Sequence, residues 1–161
     1  MARAALLLAC AALLALGLGL PPGAVPAAHA TSGYAQAEVI VHGHAIRVDV
    51  ADTEAKQTLG LGGRRHLAPD RGMLFPYADH GRRAFWMKDM FIPIDMIWLD
   101  NDTVVHIEHD VPPPAPGTDD SALPIYQPET PANFVLELAA GRSRSLGLRV
   151  GDQVAFRFDV H

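Results

Sequence analysis

The fold of this chain is decided by the run Phe85-Trp86-Met87-Lys88-Asp89-Met90-Phe91-Ile92-Pro93-Ile94-Asp95-Met96-Ile97-Trp98-Leu99 and the residues just after it. Ile94 to Leu99 is apolar on both sides of an extended segment. Ile94, Met96 and Trp98 fall on one face, and Ile97 and Leu99 share the other with Asp95. A strand of that kind is buried on both faces. Asp100-Asn101-Asp102 supplies a hairpin turn, which makes Thr103 to Val111 the returning strand. Upstream, Lys88 to Pro93 forms a bend and Phe85 to Met87 a further strand.

Towards the N-terminus, Glu38 to Val41 and His44 to Val50 read as two strands joined at His42-Gly43. In the second, Ile46, Val48 and Val50 alternate with Arg47 and Asp49, the period of a half-buried strand. Asp52-Thr53 caps a short helix over Glu54 to Leu59, which Gly60 ends. Gly62-Gly63-Arg64-Arg65 is a tight turn into a loop, and Gly72 to Phe75 is a strand that Pro76 closes. Towards the C-terminus, the proline-rich residues 112–117 and the acidic Thr118 to Ser121 form a long solvated loop. Ile125-Tyr126 and Phe134 to Leu138 are strands, Gly141 to Leu148 holds a helical turn, and Gly151-Asp152 leads into a last strand, Val154 to Phe158. The expected architecture is mainly β: a single small sandwich or barrel-like domain of short antiparallel strands with one or two short helices. It occupies residues 38–161, behind a loose leader at 31–37.

Residues 1–30 differ in character. Arg3 precedes an almost unbroken Ala/Leu/Gly run from Ala4 to Leu20, Pro21-Pro22-Gly23 breaks any helix, and Ala28-His29-Ala30 is a small-x-small cleavage pattern. This order predicts a cleavable signal peptide and a periplasmic or secreted domain. A permanent anchor needs about 20 apolar residues, and this run is short and followed by two prolines. Leu7-Leu8-Ala9-Cys10 offers the alternative of a lipoprotein processed at Cys10. Cys10 is the only cysteine. Cleavage after Ala30 therefore leaves no thiol, and excludes disulfides, thiolate nucleophiles and cysteine-bound zinc. Without Arg3 the chain has 12 basic against 18 acidic residues, a net charge of −6 with histidine neutral, and no basic run is longer than two. Nucleic-acid surfaces are clustered and basic, so this composition speaks against nucleic acid as a partner.

Gly60-Leu61-Gly62-Gly63-Arg64, Arg71-Gly72-Met73-Leu74-Phe75, Phe85-Trp86-Met87-Lys88-Asp89, Ile92-Pro93-Ile94-Asp95, Val135-Leu136-Glu137-Leu138, Gly141 and Gly151-Asp152 follow one another in this order. Together they resemble the domain of unknown function 192 family, over about Val39 to Phe158. The resemblance implies a small exported or membrane-tethered β protein and supplies no reaction. It also implies structural roles for Gly72, Pro93, Glu137, Gly141, Gly151 and Asp152. Two positions depart from the family's pattern: Gly62 stands where a bulkier residue is usual, and Met90 where threonine is common.

The site candidates gather in the same region. Asp95 in an apolar strand costs several kcal/mol unless it is paired or hydrogen-bonded. Either backbone N–H groups satisfy it as a structural lock on the Pro93 bend, or Arg64 and Lys88 answer it across a polar pocket. Trp86 and Lys88 share a face if their strand reaches Lys88, and a ring beside a cation suits a sugar face or a carboxylated ligand. The alternative is a core indole with Lys88 reaching to water. The expected function is a non-enzymatic binding or accessory module of the cell envelope. Arg64, Trp86, Lys88, Asp89 and Asp95 would hold a small polar ligand or an envelope partner, with no cofactor and no assigned metal. One alternative is a hydrolase of envelope glycans using two of Asp89, Asp95 and Glu137, although Glu137 reads more simply as solvated or ion-paired. Another is a cuprous site built from Met73, Met87, Met90 and Met96, set against methionine as core filler. His42-Gly43-His44 and the pair His106 and His109 lack the spacing for a same-face chelate; His106 and Glu108 share a face.

Overall fold

The computed structural model describes residues 33–158; the signal pattern, Cys10 and the start of the leader lie outside them. Its strands are β1 (Ala35–Val41), β2 (His44–Val50), β3 (Arg71–Gly81), β4 (Ile94–Asp100), β5 (Thr103–Val111), β6 (Ala132–Ala139) and β7 (Ala155–Phe158). Two short helices, α1 (Glu54–Leu59) and α2 (Arg142–Ser145), and a 3-10 turn at Asp120–Ala122 complete the elements. The strands form one mixed sheet in the order β5-β4-β6-β3-β2-β1-β7.

Local chemistry sets the element ends. The β1–β2 turn needs left-handed backbone at both central positions, and His42 and Gly43 take φ 47° and 84°. Asn101, at φ 55°, does the same for the β4–β5 hairpin. Thr53 accepts the Lys56 N–H at the start of α1, and Gly60 ends the helix at φ 51°. β1 begins at Ala35, so Ala35 to Ala37 belong to the sheet and not to a leader.

Three expectations are corrected. The β2–β3 pair is parallel, because α1 and the following loop carry the chain back across the sheet before β3 begins; every other pair is antiparallel. Pro76 does not close β3. The strand runs on to Gly81, with a register break against β6 at the position where proline has no N–H to give. Phe85 to Met87 and Ile125-Tyr126 are not strands: they meet only through a Phe85–Tyr126 bridge whose two hydrogen bonds are each 2.8 Å.

The sheet curls without closing. Val104 N–H donates to Asp152 O at 2.9 Å, and Gly151 and Val154 N–H donate to Val104 O and Asp102 O, so the chain before β7 ties back to the β4–β5 hairpin. The curl gives two cores. Inside it lie Val39, Ile46, Val48, Leu74, Ile97, Leu99, Leu136 and Leu138. On the outer face lie Met73, Phe75, Met96, Trp98 and Val135, covered by Leu61, Leu67, Met87 and Met90 from the loops. Full burial of each such side chain contributes about 1.5–3 kcal/mol. No helix among the described residues is long and apolar enough to cross a membrane.

Candidate functional site

The segment from Phe85 to Pro93 lies over the outer core, held to the loop before it. Gly63 N–H donates to Asp89 O at 2.9 Å, and Asp89 takes left-handed backbone at φ 56°. Gly62 belongs to the same junction. A Cβ there would stand 2.8 Å from Leu59 O, so a side chain at this position would force the turn to shift. Side chains then divide by direction. Met87 and Met90 are buried, whereas Trp86, Asp89 and Phe91 are exposed and Lys88 is half-exposed.

This arrangement places a cation on each exposed ring. Lys88 Nζ stands 5.5 Å from the Trp86 ring centroid, and the Arg65 guanidinium 4.7 Å from that of Phe91. Trp86 and Phe91 are 43% and 54% exposed, respectively. Lys88 is hydrogen-bonded and ion-paired to Asp120, which raises its pKa, with Asp89 adding a smaller pull. Ring and cation meet without the continuous strand expected from alternation, because a turn at Lys88-Asp89 brings them together.

The five predicted binding residues do not form one cluster. Arg64 pairs with Asp49 at 2.6 Å, and Asp49 also accepts from Gln36 Nε2 at 2.7 Å. Asp95 meets neither Arg64 nor Lys88. It is fully buried, and its Oδ1 accepts Asp110 N–H at 2.8 Å and Gly141 N–H at 3.0 Å. Its Oδ2 accepts Ser143 N–H at 2.8 Å and the Ser143 hydroxyl at 2.6 Å. The lock on Asp95 therefore joins β4 to a bulge in β5 and to the β6–α2 junction, where Asp110 and Gly141 take φ 52° and 76°. Pro93 contributes separately, its carbonyl accepting Ala140 N–H at 3.3 Å. A carboxylate saturated by four donors is not free to act as an acid or base, so no hydrolytic pair can include Asp95.

Ser143 and His109 complete this network, with the serine oxygen 2.9 Å from His109 Nδ1. The order Asp95–Ser143–His109 is not that of a hydrolytic triad. The Ser143 hydroxyl donates its hydrogen bond to the carboxylate, which leaves His109 Nδ1 as the donor to the serine oxygen, and Ser143 is fully buried.

Glu137 departs furthest from expectation. It was expected on a solvated or ion-paired face, yet it is only 5% exposed and its Oε2 is buried without a hydrogen-bond partner. Both faces of β6 are covered, because the loops over the outer core cap the face that alternation gave to water. Burial pushes the Glu137 carboxyl up to about 8, against a smaller opposing pull from Arg64. Tyr77 faces the same space. Burial, chiefly, pushes its hydroxyl up to about 12; Arg83 opposes this and Glu137 adds to it. In register across the sheet, Glu137 is flanked by Met73 of β3 and Met96 of β4, and Asp49 of β2 follows Met73.

Other expected structural residues have clear duties. A Cβ on Gly72 would lie 2.6 Å from Glu137 O. Gly151 takes φ 94°. Asp152 accepts Arg149 N–H at 2.9 Å and pairs with His42 Nε2 at 3.2 Å. His106 and Glu108 do meet, at 3.0 Å. No group of three His, Cys, Asp or Glu side chains among the described residues could hold a metal. Sequence reasoning missed Asp120, Asp49, Ser143 and the Arg65–Phe91 pair. Asp120 lies in a loop far along the chain from Lys88, and Asp49 looked like an ordinary outward residue of an alternating strand.

The sequence pattern of the family described as DUF192, uncharacterized ACR, matches residues 37–156. A solved structure from Novosphingobium aromaticivorans DSM 12444, of unknown function, is similar with a TM-score of 0.67 and 29% identity, over 85% of this chain and 99% of that one. A second, from Sinorhizobium meliloti 1021, carries the provisional description of a transcription regulator. It is similar with a TM-score of 0.66 and 29% identity, over 76% of this chain and 95% of that one. No curated protein matches the chain.

Proposed function

The chain belongs to the DUF192 family of uncharacterized proteins, and from that premise we propose that its β domain is a non-enzymatic binding module exported to the cell envelope. Its exposed rings and cations take up a small polar ligand or an envelope glycan. One observation carries this reading: Trp86 and Phe91 are exposed on a single bend, each with a cation over its ring. Large exposed rings are uncommon on a surface without a partner. A ring that offers a face beside a cation suits the apolar face of a sugar that also bears a carboxylate. The bend is also braced to hold that geometry, through Asp89 O and the Lys88–Asp120 pair. Export rests on the signal pattern in residues 1–30.

The transcription-regulator description of the Sinorhizobium neighbour is not carried over. The chain has a net charge of −5, and Arg64, Arg83, Lys88 and Arg144 are each paired with a carboxylate. Nucleic-acid binding needs clustered cations free to meet phosphates.

Titrating soluble peptidoglycan and acidic polysaccharide fragments into the exported protein tests the proposal, with tryptophan emission as the signal. Trp98 is fully buried, so a change in emission on binding reports Trp86. Lys88→Ala, followed by emission, and Trp86→Ala, followed by titration calorimetry because it lacks the reporting ring, should each weaken binding at least tenfold with unchanged circular dichroism. Equal binding by both variants sinks the proposal, and release of product from the fragments replaces it with a hydrolase. Intact mass should show a mature chain beginning at Thr31; a lipid on Cys10 overturns cleavage after Ala30.

A further inference from the structure

We propose that Met73, Glu137 and Met96 form a binding site for a soft monovalent cation of the copper(I) class, separate from the exposed bend. The three residues sit at one register on adjacent strands, with Met73 opposite Glu137 and Glu137 opposite Met96. Side chains opposite one another on neighbouring strands have Cβ atoms about 5 Å apart, so two thioethers and a carboxylate project side by side from one face. That face is the outer core, where Met87 and Met90 pack into the same cluster from the covering bend.

Methionine alone is the commonest filler of such a core. The carboxylate between the thioethers removes that explanation. A glutamate whose oxygen is buried without a hydrogen bond is a costly thing to place among methionines. Simple packing would put an apolar residue there. Arg64, the cation that acts on Glu137, is committed to Asp49 at the end of the same row, and Tyr77 also faces this side. Glu137 thus presents a carboxyl with an unpartnered buried oxygen, set between two soft donors, and it gives up its proton when a cation enters. Thioethers select copper(I) over harder ions, and one carboxylate neutralises its single charge. Calcium and magnesium need several oxygen ligands, and zinc takes nitrogen, thiolate or carboxylate donors in fours; the row offers neither set.

The test uses the full chain carrying Cys10→Ala, so that no thiol competes. Copper(I), held anaerobically by a chromophoric chelator, and silver(I) as its redox-inert counterpart are titrated in turn. The expected result is one equivalent bound, a rise in thermal midpoint, and an X-ray absorption spectrum with sulfur ligands to the metal. Glu137→Gln and the pair Met73→Leu with Met96→Leu should each weaken binding at least tenfold. Leucine conserves volume at these positions, so the variants keep the fold, and their circular dichroism checks that directly. Absence of a bound equivalent overturns the proposal. So does binding that survives all three substitutions, or a spectrum with nitrogen ligands only, which would move the metal to His106 or another histidine.

Discussion

Asp95 and Glu137 lie on paired strands one register step apart and point to opposite faces of the same sheet. Both are buried. Asp95 receives four hydrogen bonds, three of them from backbone amides, while Glu137 Oε2 receives none. Burial of a carboxylate therefore does not by itself mark a working group. What separates architecture from a candidate site is whether the fold brings it a full set of donors. On the inner side, α2 and the β5 bulge are bent around Asp95 by its acceptance of their amides. On the outer side only side chains and loops meet Glu137, and they bring it thioethers and a distant guanidinium.

The sharpest way to break this comparison is to remove each carboxylate in turn. Asp95→Leu leaves several buried donors without an acceptor, at roughly 1–3 kcal/mol each. A loss of about 3–5 kcal/mol in unfolding free energy is expected from urea titration at unchanged m-value. A loss below about 1 kcal/mol would mean that the amides find other partners and that Asp95 is not the lock.

Glu137 should behave in the opposite sense, and pH exposes it. Its carboxyl is raised from an ordinary value of 4.5 to about 8 in the folded chain. Between those values the folded state holds a proton that the unfolded state has released. The stability tied to this proton is complete below pH 4.5 and is lost as pH rises through 8, by up to about 1.4 kcal/mol per pH unit. Glu137→Gln does not titrate. Its stability relative to the parent should therefore climb from pH 5 to pH 8 and level off above. Urea titrations of both chains at pH 5, 6.5 and 8 check this, with other ionisable groups cancelling in the difference. A difference that does not vary with pH would place a donor or cation on Glu137.

Much of the fold was legible because it depends on local chemistry. The two-sided apolar run from Ile94 to Leu99, the turn at Asp100 to Asp102 and the cap at Thr53 each state their element within a few residues. The parallel β2–β3 pair was not legible, since nothing within β2 or β3 records the direction in which the crossover returns. The site was legible only in part. The run from Phe85 to Pro93 pointed to Trp86 and Lys88, and these do meet. Glu137 looked solvated because alternation tells which side a residue takes, and not whether a distant loop covers that side. The Asp95 partners come from Asp110, Gly141 and Ser143, separated from it by up to 48 positions. Spacing along the chain cannot show a hydrogen bond of that reach.

A finer cut divides the Asp95 lock itself. Ser143→Ala keeps all three backbone donors and removes the hydroxyl that also bridges to His109. Hydrogen bonds to a charged group contribute about 1.5–3 kcal/mol, so a loss near 2 kcal/mol is expected in the same urea experiment. That is clearly less than for Asp95→Leu. Equal losses would give the hydroxyl the whole effect and make the amide contacts incidental.

The smallest effect belongs to the exposed bend, and its smallness is informative. Lys88 and Asp120 are joined at the surface, where side-chain entropy and solvent screening offset most of an ion pair. Lys88→Ala should shift the urea unfolding midpoint only slightly. A double-mutant cycle with Asp120→Ala should return a coupling of similar size that fades in high salt. The contrast with Asp95 then becomes one of purpose. A charge that the fold needs cannot be removed cheaply, while one that can be removed cheaply is free to be spent on a ligand. A Lys88 substitution that unfolded the chain would reverse that inference and make the ring–cation pair part of the scaffold.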